Sequence, residues 1–266
     1  VFGAGKGEAN TFTCQKAMAK SANVTIKAGT IGKNVYGGGE VGRVEYDTKV
    51  EIGVANQEEG SAAPVITGNV FGAGAGVETH GYSALVRGNT SVTVQGNAKV
   101  EESVYGGGEI ASVGKYGLDA FQMPSILKGG GICTVSITDY AKIGTSGTSH
   151  HVFGAGQGIN PYDEAHNYID FTTTAVATKP KRMMTYSAAF VSGKIKEKDW
   201  DYIRTYSEAE LNDANTSKYI WDYLTTADAY STYLETLALA TAPTVTIDEH
   251  ASVCGDVYGG GEGGIS

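Results

Sequence analysis

One glycine-rich box, met six times, constrains this chain more than any other feature. It reads Val1-Phe2-Gly3-Ala4-Gly5, Val35-Tyr36-Gly37-Gly38-Gly39-Glu40, Val70-Phe71-Gly72-Ala73-Gly74, Val104-Tyr105-Gly106-Gly107-Gly108-Glu109, Val152-Phe153-Gly154-Ala155-Gly156 and Val257-Tyr258-Gly259-Gly260-Gly261-Glu262. The starts lie 34, 35, 34, 48 and 105 residues apart. A period of about 34 residues marks a solenoid or array, and the last two spacings fit the same unit carrying insertions. A Phe-Gly-Ala-Gly box alternates strictly with a Tyr-Gly-Gly-Gly-Glu box, so the larger unit is a pair of coils, about 69 residues long.

A second pattern precedes each box. Val24-Thr25-Ile26 leads to Ile31, Val92-Thr93-Val94 to Ala98-Lys99-Val100, Val135-Ser136-Ile137 to Ala141-Lys142-Ile143, and Val245-Thr246-Ile247 to Ala251-Ser252-Val253. Val50-Glu51-Ile52 followed by Val65-Ile66 is a degraded copy. Alternation over three-residue pieces rich in Val, Ile and Thr predicts very short strands with one buried face. Three such strands per unit make one coil of a β-solenoid. A right-handed parallel β-helix, with coils about 4.8 Å apart, is the expected form. The box glycines are expected to form a corner with positive φ and to let the neighbouring backbone approach closely. Phe2, Tyr36, Phe71, Tyr105, Phe153 and Tyr258 then stack as a column, inside the core or along one edge. The residues ahead of the box valines, Asn34, Asn69, Ser103, His151 and Asp256, suit hydrogen bonding from side chain to backbone at a recurring corner.

Variable segments fall mainly after the boxes, at 6–23, 75–90, 110–132 and 157–243, and are expected to emerge along one edge. The predicted organisation is solenoid over 1–158, a mainly helical insertion over 159–243, and solenoid again over 244–266. Within the insertion, Ser207 and Glu210 have capping-box spacing, and Ile220, Leu224, Ala227, Leu234 and Leu237 recur at helical intervals. Pro243 is expected to end the helical part, and a strand is conceivable around 188–195. Trp200, Tyr202, Tyr206, Trp221 and Tyr223, in an aromatic-dense stretch of this insertion, are the candidate ligand-binding residues. Aromatics with a polar tip give large contact area at low entropic cost, and flat faces suit sugar rings.

The remaining chemistry points away from catalysis. Glu40, Glu109 and Glu262 share one position on alternate units, about 9.6 Å apart if each unit is one coil. That is too far for two carboxylates to share a calcium ion, and solvated or hydrogen-bonded glutamates are expected. Asp119, Asp163, Glu164 and Asp170 offer no recurring acid pair for glycoside hydrolysis. The histidines, His80, His150, His151, His166 and His250, accompany no nucleophile elbow. Cys14, Cys133 and Cys254 are too scattered for a disulfide framework or a zinc site and read as single buried thiols. No catalytic residue, metal or cofactor is assigned. A net charge of −9 with no basic cluster argues against nucleic acid, and no run of 18 apolar residues spans a bilayer. The chain opens and closes beside a box, the look of a window on a longer array.

Tandem boxes behind Val-Thr-Val/Ile strands resemble the glycine-rich repeats of very large, adhesin-like surface proteins of gut anaerobic bacteria. All six boxes carry the resemblance; the 157–243 insertion does not. It implies an extracellular or cell-surface location and a stalk-like or adhesive role, with a glycan or protein surface as partner. End-to-end self-association of open coils, and a polysaccharide-binding or polysaccharide-degrading β-helix, are the alternatives the residues leave open.

Overall fold

A computed structural model describes residues 1–7, 17–77, 83–118, 124–126, 130–147, 150–160, 237–248 and 250–263. Five coils follow one another. The first holds β1 (Ala22–Ile26), β2 (Thr30–Ile31) and β3 (Val35–Tyr36), and the second β4 (Thr48–Ile52), β5 (Val65–Ile66) and β6 (Val70–Phe71). The third holds β7 (Thr90–Val94), β8 (Lys99–Val100) and β9 (Val104–Tyr105). A small antiparallel pair, β10 (Tyr116–Leu118) and β11 (Pro124–Ile126), stands between it and the fourth. The fourth holds β12 (Ile132–Ile137), β13 (Lys142–Ile143) and β14 (Val152–Phe153). The fifth holds β15 (Ala242–Ile247), β16 (Ser252–Val253) and β17 (Val257–Tyr258). First, second and third strands each join their counterparts in a parallel five-stranded sheet, the architecture of a parallel β-solenoid. Phe2 adds a sixth rung by bridging to Tyr36.

Register follows the sequence pattern residue for residue. Val24, Val50, Val92, Val135 and Val245 stack in one file, as do Ile26, Ile52, Val94, Ile137 and Ile247. Except for Ile247, exposed on the last coil, their side chains fill the coil with the files of Ile66, Val100 and Ile143 and of Val35, Val70, Val104 and Val152. Each fully buried Val or Ile contributes about 1.5–3 kcal/mol, so repetition itself builds the core. At the inward position before these valines, Thr48 and Thr90 donate to the carbonyls of Gly72 and Gly106, each at 2.6 Å. Cys133 occupies the same file in the fourth coil and is buried, whereas Cys254 is exposed. The expectation of buried thiols is therefore corrected for Cys254, which follows the inward Val253 and so faces outward by strand alternation. Cys14 lies outside the described residues.

The box glycines serve close approach alone. None has a positive φ, which corrects half of the expectation. A Cβ on Gly37, Gly72 or Gly106 would overlap the carbonyl oxygen of the next coil's first box glycine. The left-handed residue instead comes at the seventh box position of the Phe-type units, Gly7, Gly76 and Gly158, at φ of 66, 81 and 70°. Ala84 and Ala238, both at φ 53°, also recur two coils apart. Backbone conformation thus repeats with the pair of coils.

A fourth side was not foreseen. Short stretches after the boxes, 41–44, 83–86, 110–113 and 237–240, fold back against one another. Val44 bridges Ala19 and Val86, Val86 bridges Val113, and the Val113 amide donates to Leu239 at 2.8 Å. Val44, Val86, Val113, Cys133, Ala155 and Ala240 form a second, small-residue core there. The post-box segments are therefore partly built into the coil rather than wholly projecting. Leu237, expected on an amphipathic helix, is fully buried at this side. Pro243, expected as a helix stop, lies within β15 opposite Cys133. A proline lacking an N–H is tolerated there because β15 is an edge strand. Residues 161–236, with the expected capping box, the amphipathic run as far as Leu234 and the possible strand, lie outside the described residues.

Candidate functional site

Two features could do more than fill space: an aromatic spine along the third sheet and a shelf on the outer face of the second. The spine is continuous. Ring centroids from Phe2 through Tyr36, Phe71, Tyr105 and Phe153 to Tyr258 lie 4.7, 5.0, 4.7, 4.9 and 5.0 Å apart, with interplanar angles of 3–11°. Strand separation imposes this spacing; the rings stack nearly face to face because parallel in-register strands give identical positions identical orientations. From Tyr36 to Phe153 the rings are buried, whereas Phe2 and Tyr258 are 40% and 42% exposed at the two ends.

The glutamates of the Tyr-type boxes lock this spine. The Tyr36 hydroxyl donates to Oε2 of Glu109, and the Tyr105 hydroxyl donates to Oε2 of Glu262 at 2.5 Å. Each carboxylate belongs to the coil two steps beyond its tyrosine, and the ring between is a phenylalanine with no hydroxyl of its own. Burial above all, with the facing carboxylate, pushes both phenols above the ordinary tyrosine range, against the opposing hydrogen bonds of Asn34 (for Tyr36) and Ser103 (for Tyr105). At the far end the Tyr258 hydroxyl donates to Asp256 at 3.1 Å. Of the two expected roles, solvated or hydrogen-bonded, Glu109 and Glu262 take the second and latch the spine. The co-occurrence was visible in the sequence, since tyrosine and glutamate share the same boxes and are absent together from the others, but the pairing across two coils was not.

Beside the spine runs a polar ladder. The Asn34 side chain accepts from the Asn69 amide (2.9 Å), Asn69 from Ser103 (2.9 Å), Ser103 from His151 (3.0 Å) and His151 Nδ1 from Asp256 (3.0 Å). Asp256 Oδ2 also lies 3.6 Å from Nδ1. Because Nδ1 accepts the Asp256 amide, we read this ring as neutral and that contact as no ion pair.

The shelf is an open cavity of about 260 Å³ whose lining includes Glu59, Ser61, Asn97, Lys99, Tyr140 and Lys142. Its wall is the excursion before β5. Asn97 holds it from both sides, accepting from the Gly60 amide (2.7 Å) and donating to the Glu58 carbonyl (2.9 Å). Buried Asp139 accepts from the Asn56 (3.2 Å) and Gly96 (2.8 Å) amides. Sequence reading missed this site, although the lysine recurs at one position in Ala98-Lys99-Val100 and Ala141-Lys142-Ile143.

Trp200, Tyr202, Tyr206, Trp221 and Tyr223 lie outside the described residues, as do Asp119, Asp163, Glu164, Asp170, His80 and His166. Among the described residues no three His, Cys, Asp or Glu side chains are placed to hold a metal ion, and no helix is long and apolar enough to cross a membrane. No family model, no curated protein and no solved structure matches this chain, so its function has to be argued from the spine and the shelf themselves.

Proposed function

We propose that this chain is a length of stiff extracellular shaft, wound as a right-handed parallel β-helix, with residues 161–236 inserted between its fourth and fifth coils as a mainly helical module. The observation that supports this is the unbroken spine: six rings in contact, cross-latched every second coil, beside backbone ladders on every face. Such a stack resists bending because each coil is hydrogen-bonded to both neighbours. Its length grows by about 4.8 Å per coil, roughly 24 Å for the five steps from Phe2 to Tyr258. The reading of the shaft as extracellular is supported by the resemblance of the boxes to those of adhesin-like surface proteins. The exposed apolar edge of the last coil, with Ile247, Val257 and Tyr258, suits a further coil of the same repeat as its stacking partner. The test is antibody raised against this chain and applied to intact cells of the source organism. Labelling that is lost on brief protease treatment supports the shaft; labelling only after lysis refutes it.

A second reading, polysaccharide binding, draws on the shelf and on the aromatics of the insertion. A glycan array probed with the chain, and with a version whose residues 161–236 are replaced by a Gly/Ser loop, so that the fourth-side stretch 237–240 and β15 stay intact, separates the two sources. Binding lost with the insertion places recognition on Trp200 and its neighbours, and binding kept by the shortened chain places it on the solenoid.

A further inference from the structure

We propose that the shelf over β8 and β13 is a binding site for an acidic sugar, a hexuronate residue of a polysaccharide. This deepens the polysaccharide-binding reading; the shaft reading does not depend on it.

The argument begins with register. Lys142 lies directly over Lys99 in adjacent parallel strands, both side chains facing out, so two ammonium groups are carried at one strand spacing, about 4.8 Å. Like charges directly opposite each other across a sheet are destabilising. Among the described residues no carboxylate lies within ion-pair distance of either, in a chain that carries a net charge of −9. Glu59 lines the same cavity but lies beyond ion-pair distance of both lysines, so two positive charges face one negative charge there and leave room for an anion that arrives from outside.

What surrounds the pair narrows the class of anion. Two residues before Lys142, Tyr140 faces the same side, and its ring stacks on His250 of the next coil at 4.9 Å and 11°. One face of the Tyr140 ring is thereby taken by His250, and Tyr140 alone of the two lines the shelf beside the lysines. Flat apolar faces accept the C–H face of a pyranose, whereas a bare phosphate or sulfate ion has no use for one. Glu59 and Ser61 on the opposite wall supply an acceptor and a hydroxyl for ring hydroxyl groups. The wall is held in advance by Asn97 and Asp139, so little ordering is needed on binding. At about 260 Å³ the shelf takes one ring rather than a drug-sized ligand, and being open it lets a chain enter and leave.

The test is calorimetric titration of the whole chain with tetragalacturonate, with neutral galactotetraose and with a sulfated galactose tetrasaccharide. Tetragalacturonate alone is expected to bind, more weakly as salt rises, and at least about tenfold more weakly to Lys99→Gln/Lys142→Gln. Lys99→Arg/Lys142→Arg is expected to retain binding, Tyr140→Leu to lose it with both lysines present, and Lys33→Gln, on another corner, to leave it unchanged. Circular dichroism identifies any variant that fails to fold, and the arginine pair then carries the comparison. Equal binding of acidic and neutral oligosaccharides, preference for the sulfated one, no binding at all, or indifference to Lys99→Gln/Lys142→Gln would each overturn the assignment.

Discussion

Stability in alkali depends on the two latches in a way that can be worked out. Tyr36 and Tyr105 are 6% and 3% exposed, and both phenols are held above the usual value near 10. The unfolded chain therefore releases these protons from about pH 10 upward while the folded chain keeps them. With fewer protons on the unfolded state, stability falls as pH rises: the contribution is complete below pH 10 and is lost above it. At pH 11 each tyrosine accounts for about 1.4 kcal/mol, together about 3 kcal/mol, a large part of the stability of an ordinary domain. The assay is urea unfolding followed by circular dichroism from pH 8 to 11, on the natural chain and on Tyr36→Phe/Tyr105→Phe. Solenoids need not unfold in one step, so the quantity to compare is the difference between the two proteins. At pH 8 the variant is expected to be weaker, since each latch is a hydrogen bond to a charged group worth about 1.5–3 kcal/mol. By pH 11 the gap is expected to narrow by about 3 kcal/mol, because only the natural chain has these protons to lose. A constant gap across this range would refute the claim that the buried phenols couple folding to alkaline pH.

Three further outcomes follow from the same geometry. Gly72→Ala drives a methyl into the Gly106 carbonyl and is expected to cost about 1–3 kcal/mol, whereas Gly32→Ala, which meets nothing within 4 Å, should be nearly neutral in the same urea titration. Peptide mapping after iodoacetamide treatment of the folded chain should find Cys254 modified and Cys133 protected, because burial shields the Cys133 thiol and pushes its pKa up to about 11. Removing residues 71–104, one coil, leaves Glu109 two steps from Phe2 and without its phenol, while removing 37–105, a pair, brings Tyr36 into phase with Glu262. The pair deletion should be the more stable of the two by urea unfolding, despite being the shorter chain.

The coil was legible because its determinants are local and periodic. Val24-Thr25-Ile26 and its copies state which residues turn inward, and a parallel stack needs no other instruction to set register. The aromatic column was legible for the same reason, and so was the side-chain ladder from Asn34 to Asp256. What escaped was either non-periodic in type or long in reach. The fourth side is written as Val-Gly-Arg-Val at 41–44, Ser-Ala-Leu-Val at 83–86 and Ile-Ala-Ser-Val at 110–113, copies that share only the closing valine and a small second residue. The latches join residues 73 and 157 positions apart, so they show only once the coils have been stacked. The shelf depends on an excursion in one coil meeting a turn in the next, and no repeat pattern records such a meeting.

Why the boxes alternate at all is then a question with a physical answer. A tyrosine in every coil would set hydroxyls one strand spacing apart in a buried file, each needing a partner, and a glutamate in every coil would stack carboxylates at the same short distance. Phenylalanine in alternate coils removes every second hydroxyl from that file and leaves the glutamate two steps on a single phenol to reach. The spacing between carboxylates doubles to about 9.6 Å, which weakens their repulsion, and each buried phenol still has its acceptor. Backbone conformation follows the same beat: the seventh position is left-handed in the phenylalanine coils, at Gly7, Gly76 and Gly158, and not in the tyrosine coils, where Val41, Ile110 and Gly263 stand. Ring, carboxylate and backbone conformation therefore change together, and the smallest length by which the stack can grow or shrink without orphaning a buried polar group is two coils.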